Sequence, residues 1–120
     1  MNDSNGVIWI CTINGLFKVS LLTENFEKIT FNNLDQDRSN YIKGILEISN
    51  NQYVVATMAG LFSLKNSKIT PITDHREGYS GTMYYNKQSK YLYAGRNDKD
   101  LACYRLNGDQ FTKAFEFLAG

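Results

Sequence analysis

Several residue types and patterns are scarce in this sequence, and each scarcity removes a class of protein. Proline occurs once, and no long stretch spaces its apolar residues for a helix, so a helix-rich fold is excluded. A charge surplus is missing: thirteen Lys and Arg face twelve Asp and Glu, a formal charge of +1. Nucleic acid and anionic membranes are recognised through a basic surplus or stripe, so neither is implied as a partner. No apolar run approaches the roughly 20 residues of a membrane span, and no membrane contact is expected in this segment. No Pro/Gly/Ser-rich linker divides the 120 residues, which argues against two separate domains. Patterns such as GxSxG, HExxH or a glycine-rich phosphate loop do not occur. The carboxylates are scattered among Lys and Arg. The expectation is therefore a non-enzyme with no catalytic residues, no metal ligands and no cofactor.

What is present points to sheet. Eight Tyr and seven Phe stand beside many Ile, Val and Thr, and a hydrophobic fraction of 42% is enough for a packed core. The main signal is an internal repeat. WICTINGLFKV (Trp9 to Val19) aligns with VVATMAGLFSL (Val54 to Leu64) at an offset of 45 residues, with Thr12 on Thr57, Gly15 on Gly60 and Leu16-Phe17 on Leu61-Phe62. A weaker third copy, YLYAGRNDKDLACYRL (Tyr91 to Leu106), puts Gly95 on Thr57, then Tyr104 on Phe62 and Leu106 on Leu64. A period of about 40–45 residues is that of a four-stranded propeller blade.

The segments between the copies supply the remaining strands. Tyr41–Ile48 and Gly81–Tyr85 precede the second and third copies, and outer strands follow near Phe26–Phe31, Lys68–Thr73 and Gln110–Phe117. Each full unit reads as strands A to D, with A innermost. Ser4-Asn5-Gly6, Ser49-Asn50-Asn51 and Asn107-Gly108-Asp109 are residue types that tolerate positive φ in tight turns. The fold class is thus all-β, a partial β-propeller of about two and a half to three four-stranded antiparallel blades. Residues 1–33 form an incomplete blade with strands B to D, while 40–74 and 79–118 form complete ones. Propellers close with about four to eight blades, so the chain is expected to be a fragment of a larger propeller domain. An open fragment, or copies sharing a ring, are the alternatives. The partners expected are the remaining blades of the parent, or self-association through blade faces left uncovered.

The pattern D-x-x-G-x-x-W-x-x-T-x-x-G-L resembles the two-component regulator propeller repeat. Here it runs Asp3, Gly6, Trp9, Thr12, Gly15, Leu16, with one residue fewer than usual before the final glycine. The second copy has Ile42, Ile45 and Ile48 upstream, then Thr57, Gly60 and Leu61, with Val54 in the tryptophan column. The third copy keeps Gly95 and the strand spacing. The resemblance implies a slice of the extracytoplasmic, periplasmic sensor half of a bacterial hybrid two-component protein, responding to oligosaccharides. In such a parent the histidine kinase lies elsewhere, and ligand binding shifts the ring against a partner copy to bias a kinase pair.

Individual residues fit that frame. Trp9, mid-strand, shares its column with Val54 and Leu92 and reads as packing between blades. Cys11 aligns with Ala56 and Ala94, and Cys103 with Leu16 and Leu61, so both read as core fillers and free thiols. They lie 92 residues apart, on the first and third blades, without metal-ligand spacing. His75, with Asp74 and Glu77, reads as a solvated loop. The D–A and B–C connections share one end and are the longest and most polar: Asn33 to Asn40, Thr73 to Tyr79 and Arg96 to Asp100. A ligand is expected there. Arg38, Arg76 and Arg96 offer forked donors to a carboxylate or sulfate, Asp98 of the Arg96–Asp100 loop is a further candidate ligand-binding residue, and Tyr41 and Tyr79 offer rings to a sugar. The rival readings are a non-catalytic scaffold for protein–protein interaction, a truncated piece without autonomous function, and a propeller lyase, which would need a histidine and acids converging on the ring axis and has His75 alone to draw on.

Overall fold

The repeated Thr-x-x-Gly is a hairpin clamp. In a computed structural model describing residues 1–97 and 101–117, the Thr57 hydroxyl donates to the Gly60 carbonyl at 2.9 Å and accepts from the Ala59 amide at 3.0 Å. Thr12 does the same with the Gly15 carbonyl (2.7 Å) and the Asn14 amide (3.1 Å). Gly60 has φ +113°, and a Cβ there would lie 2.9 Å from the Asp74 carbonyl oxygen. Left-handed backbone and close approach together require glycine.

Hairpins join the strands of the described residues into three antiparallel meanders, the first two of which carry this clamp. The first sheet is β1 (Ile8–Thr12), β2 (Gly15–Ser20) and β3 (Asn25–Ile29). A single helical turn, α1 (Gln36–Ser39), follows. The second sheet is β4 (Ile42–Ser49), β5 (Gln52–Thr57), β6 (Gly60–Lys65) and β7 (Lys68–Pro71). The third is β8 (Tyr79–Asn86), β9 (Tyr91–Arg96), β10 (Leu101–Asn107) and β11 (Gln110–Phe117). The chain is all-β apart from α1, and the eleven strands among the described residues fall one sheet to each of the units 1–33, 40–74 and 79–118.

The sheets stack face to face in chain order. All six residues of β5 are buried, because the second sheet is covered on both sides. Strand alternation sends Tyr53 and Val55 toward the first sheet, where they join Trp9, Leu16 and Phe62. Val54 and Ala56 point the other way and join Leu92, Ala94 and Tyr104 of the third. Each fully buried side chain of this size contributes about 1.5–3 kcal/mol. The innermost strands β4 and β8 meet backbone to backbone: a Cβ on Gly44 would sit 2.6 Å from the Gly81 carbonyl oxygen.

Several expectations are corrected by these coordinates. Cys11 is exposed, not a core filler. Ala56 and Ala94 each have a partner on the innermost strand, Gly44 and Met83. Among the described residues, only Met1 and Asn2 pair beside the inner edge of β1, with Trp9 and Ile8, and none pairs there at Cys11. Cys103 is buried, as expected. The third copy is slipped by one residue in its second strand. Ladder partners place Tyr91 opposite Arg105 and Tyr93 opposite Cys103, so these tyrosines, not Leu92 and Ala94, occupy the faces of Trp9 and Cys11. A slip of one residue turns every side chain to the other face.

The outer strand of the first sheet also ends earlier than expected, at Ile29. Phe31 leaves the ladder to plug the core against Phe62, with ring centroids 5.0 Å apart. Its amide donates to Asn40 Oδ1, and its carbonyl accepts from the Ser39 hydroxyl and Asn40 Nδ2. Those bonds, with Asp35 capping the amide of Arg38, fold the expected loop into α1.

Candidate functional site

A cavity lies between the first and second sheets, at the end opposite the long loops. It has a volume of about 500 Å³, within the size range of small-ligand sites. Its wall on one side is Trp9, Lys18, Glu27 and Ile29, and on the other Tyr53 and Leu64. Its rim is made by turns carrying Asn5, Asn51, Asn66 and Ser67. Asn51, Asn66 and Ser67 all have positive φ, which Asn tolerates better than most residues. These turns therefore place amides, which both donate and accept, around one hollow.

The hollow is anchored by Asp3. Its Oδ2 accepts from Trp9 Nε1 at 2.8 Å and from the Tyr53 hydroxyl at 2.5 Å, while Oδ1 accepts from the amides of Asn5 and Val7, both at 2.9 Å. Burial pushes the Asp3 carboxyl up, but the four hydrogen bonds outweigh it and hold the group below the usual aspartate range. Burial, then the Asp3 hydrogen bond, pushes the Tyr53 phenol well up. The Trp9 and Tyr53 rings pack at 4.8 Å, and the Lys18 ammonium lies 5.6 Å from the Trp9 ring centroid. Neighbouring turns are tied across the two sheets. Ser4 donates twice to Glu47, from its amide at 3.0 Å and its hydroxyl at 2.6 Å, and Asn5 Nδ2 donates to Asn50 and Asn51. The fixed frame thus leaves Lys18, Glu27, Asn66 and Ser67 facing the hollow with polar groups.

The long-loop end is built differently. Tyr79 is fully buried, its hydroxyl bonded to Glu77 at 2.8 Å and to the Tyr104 hydroxyl at 2.6 Å, so its ring cannot stack on a ligand. The bulge between Tyr79 and Met83 turns it into the core. Arg96 has a side chain only 6% exposed, paired with Glu116 at 2.7 Å and Glu77 at 3.6 Å. Arg76 is exposed, but its fork already grips Asp74 through Nε and Nη2. Its hydrogen bonds hold the Asp74 carboxyl below its ordinary range. Arg76 and Arg96 share a small hollow of about 90 Å³ with Glu77, Gly78 and Asn97, which Arg38 and Tyr41 do not line. Arg38 pairs with Asp35 at 3.8 Å, and Tyr41 is partly covered by Lys43. Asp98 lies outside the described residues.

Of the expected binding residues that are described, Arg76 and Arg96 share one hollow, while Arg38, Tyr41 and Tyr79 do not line it. The residues gathered around the inter-sheet hollow, Lys18, Glu27, Tyr53, Asn66 and Ser67, were not singled out by the sequence. The Asn-rich turns were the available signal. Among the described residues no group of three or more His, Cys, Asp or Glu side chains is placed to hold a metal ion, and no helix is long and apolar enough to cross a membrane. No family model matches the chain, and no curated protein matches it.

Proposed function

We propose that this chain is a segment of a β-propeller that binds a ligand without transforming it, as the sensing half of an extracytoplasmic two-component receptor does. The observation that carries the reading is the two-sided burial of β5 between sheets of the same topology. Stacked meanders with innermost strands in contact are what consecutive propeller blades require. The ligand class that suits the inter-sheet hollow is an oligosaccharide. Asn amides and the Ser67 hydroxyl pair with sugar hydroxyls, Lys18 and Glu27 add charged hydrogen bonds, and the Trp9–Tyr53 wall gives an apolar backing. In such a receptor, binding between two blades changes how they wedge apart, and the ring transmits that change to a partner copy.

The test is a titration of the isotope-labelled chain with neutral, uronic and sulfated oligosaccharides, followed by amide and indole resonances. Shifts are expected at Trp9, Asn51, Asn66 and Ser67, and are lost in Lys18→Ala and Asn66→Ala. Shifts confined to Arg38, Tyr41 and Arg76 would move the site to the long-loop end. No shifts with any sugar at millimolar concentration would end the oligosaccharide reading. A second reading, a scaffold for protein contacts, is favoured by one observation: the third sheet carries exposed aromatic rings on its open face.

A further inference from the structure

The outer faces of the stack are not equivalent to ordinary surface. Each internal interface joins two kinds of face. The face that a sheet turns toward its successor carries Trp9 and Leu16 in the first sheet, and Val54, Ala56 and Leu61 in the second. The face turned toward the predecessor carries Val55 and Phe62 in the second sheet, and Leu92 and Tyr104 in the third. Ladder registers extend both kinds to the ends of the stack. The third sheet's successor-type face holds Tyr84, Tyr91, Tyr93, Phe115 and Phe117 around the buried Cys103. Their ring centroids lie 5.5–6.4 Å from one another in sequence along the sheet. The first sheet's predecessor-type face holds Ile10 and Phe17, in the columns of Val55 and Phe62, with Phe26 beside them. On these faces Tyr84 is 62% exposed, Phe117 58%, Ile10 46% and Phe26 75%.

We infer that a second copy of this chain covers these faces, head to tail: the aromatic face of β8–β11 in one copy receives the Ile10–Phe17–Phe26 face of the other. The pairing continues the two interfaces already present within the chain, using the same columns of residues. It is heterologous, joining unlike faces. Size sets the number of copies. The described residues of each 120-residue chain contribute three sheets, rings close with about four to eight, and two copies give six. The two contacts are then identical and no face remains open. The inference shares the stacked-sheet reading with the proposed function, and it needs no ligand, so it stands or falls separately from the sugar site.

Sedimentation equilibrium of the 120-residue chain tests it. The expected species is twice 13.7 kDa, with no larger ladder at higher concentration. Two variants separate the faces: Tyr84→Asp with Phe115→Asp, and Ile10→Asp with Phe26→Asp. All four side chains are more than a third exposed, so circular dichroism is expected to report an unchanged fold. Each variant alone is expected to be a monomer, whereas their equimolar mixture forms a 1:1 pair through the one intact contact, at least tenfold weaker than the parent. A parent chain that stays monomeric at about 1 mM, or that grows into a ladder, overturns the closed pair. Dimers of the Ile10→Asp/Phe26→Asp variant by itself mean that third sheets pair with each other, which overturns the head-to-tail arrangement.

Discussion

The Tyr53 hydroxyl donates to Asp3 Oδ2 at 2.5 Å, joining the first turn of the chain to the second strand of the next sheet across 50 residues. Because Asp3 also accepts from Trp9 and two amides, this one carboxylate ties the first sheet to the second alongside the apolar core they share. Tyr53→Phe removes a hydrogen bond to a charged acceptor and is expected to cost about 1.5–3 kcal/mol. Asp3→Ala is expected to cost more, since it strands the buried Trp9 and Tyr53 donors together. Urea unfolding measures both. Equal losses for the two variants would show that the donors find other partners.

The same carboxylate sets an acid limit. Asp3 is held below its ordinary range in the fold, so it contributes stability above about pH 4, the unfolded value for aspartate, and that stability is lost as pH falls through the lowered folded value. Unfolding midpoints measured from pH 6 down to pH 2 are expected to fall more steeply for the native chain than for Asp3→Asn. Parallel slopes would place the acid sensitivity elsewhere.

The alkaline limit has a different origin. Tyr79 and Tyr104 share a buried hydroxyl–hydroxyl contact; burial pushes both phenols up, and for Tyr79 the Tyr104 hydrogen bond adds to it. Groups kept neutral in this way stabilise the fold fully below about pH 10, the unfolded tyrosine value, and that contribution disappears as pH rises toward their folded values. Thermal midpoints are expected to decline above about pH 10, and less steeply in Tyr79→Phe. A Tyr79→Phe chain with an unchanged decline would clear this pair.

The two thiols make a simple accessibility test. Cys11 is exposed on β1, while Cys103 is buried beneath the rings of Tyr93 and Phe115, its ladder partners. An aromatic disulfide reagent at neutral pH is expected to titrate one thiol in the folded chain and two in denaturant, with Cys11→Ser abolishing the native reaction. Prompt reaction of both would mean that the third sheet opens.

Much of the architecture was legible because it depends on local chemistry repeated in phase. Thr57 and Gly60 announce their hairpin through a hydroxyl clamp and a left-handed glycine, and Thr12 and Gly15 repeat it. The degraded copy was misaligned because it lacks that clamp: nothing at Gly95 fixes the register, and one residue of slip exchanges Leu92 for Tyr91. Site residues were less accessible still. Tyr79 starts a strand next to a polar loop and reads as a surface ring, yet a bulge turns it inward. Asn66 carried no signal in the sequence, and only the stacking of two sheets brings it to the same hollow as Lys18. Position across sheets arises from long-range packing, which no short stretch encodes.

The burial of β5 on both faces also has a mechanical meaning. A strand whose odd and even side chains serve different interfaces cannot yield on one side without carrying its backbone, and hence the opposite row, along with it. Tyr53, on the wall of the hollow, is the chain neighbour of Val54, which packs with Leu92 and Tyr104 on the other side. The middle sheet is thus the one element of the described stack that both interfaces share.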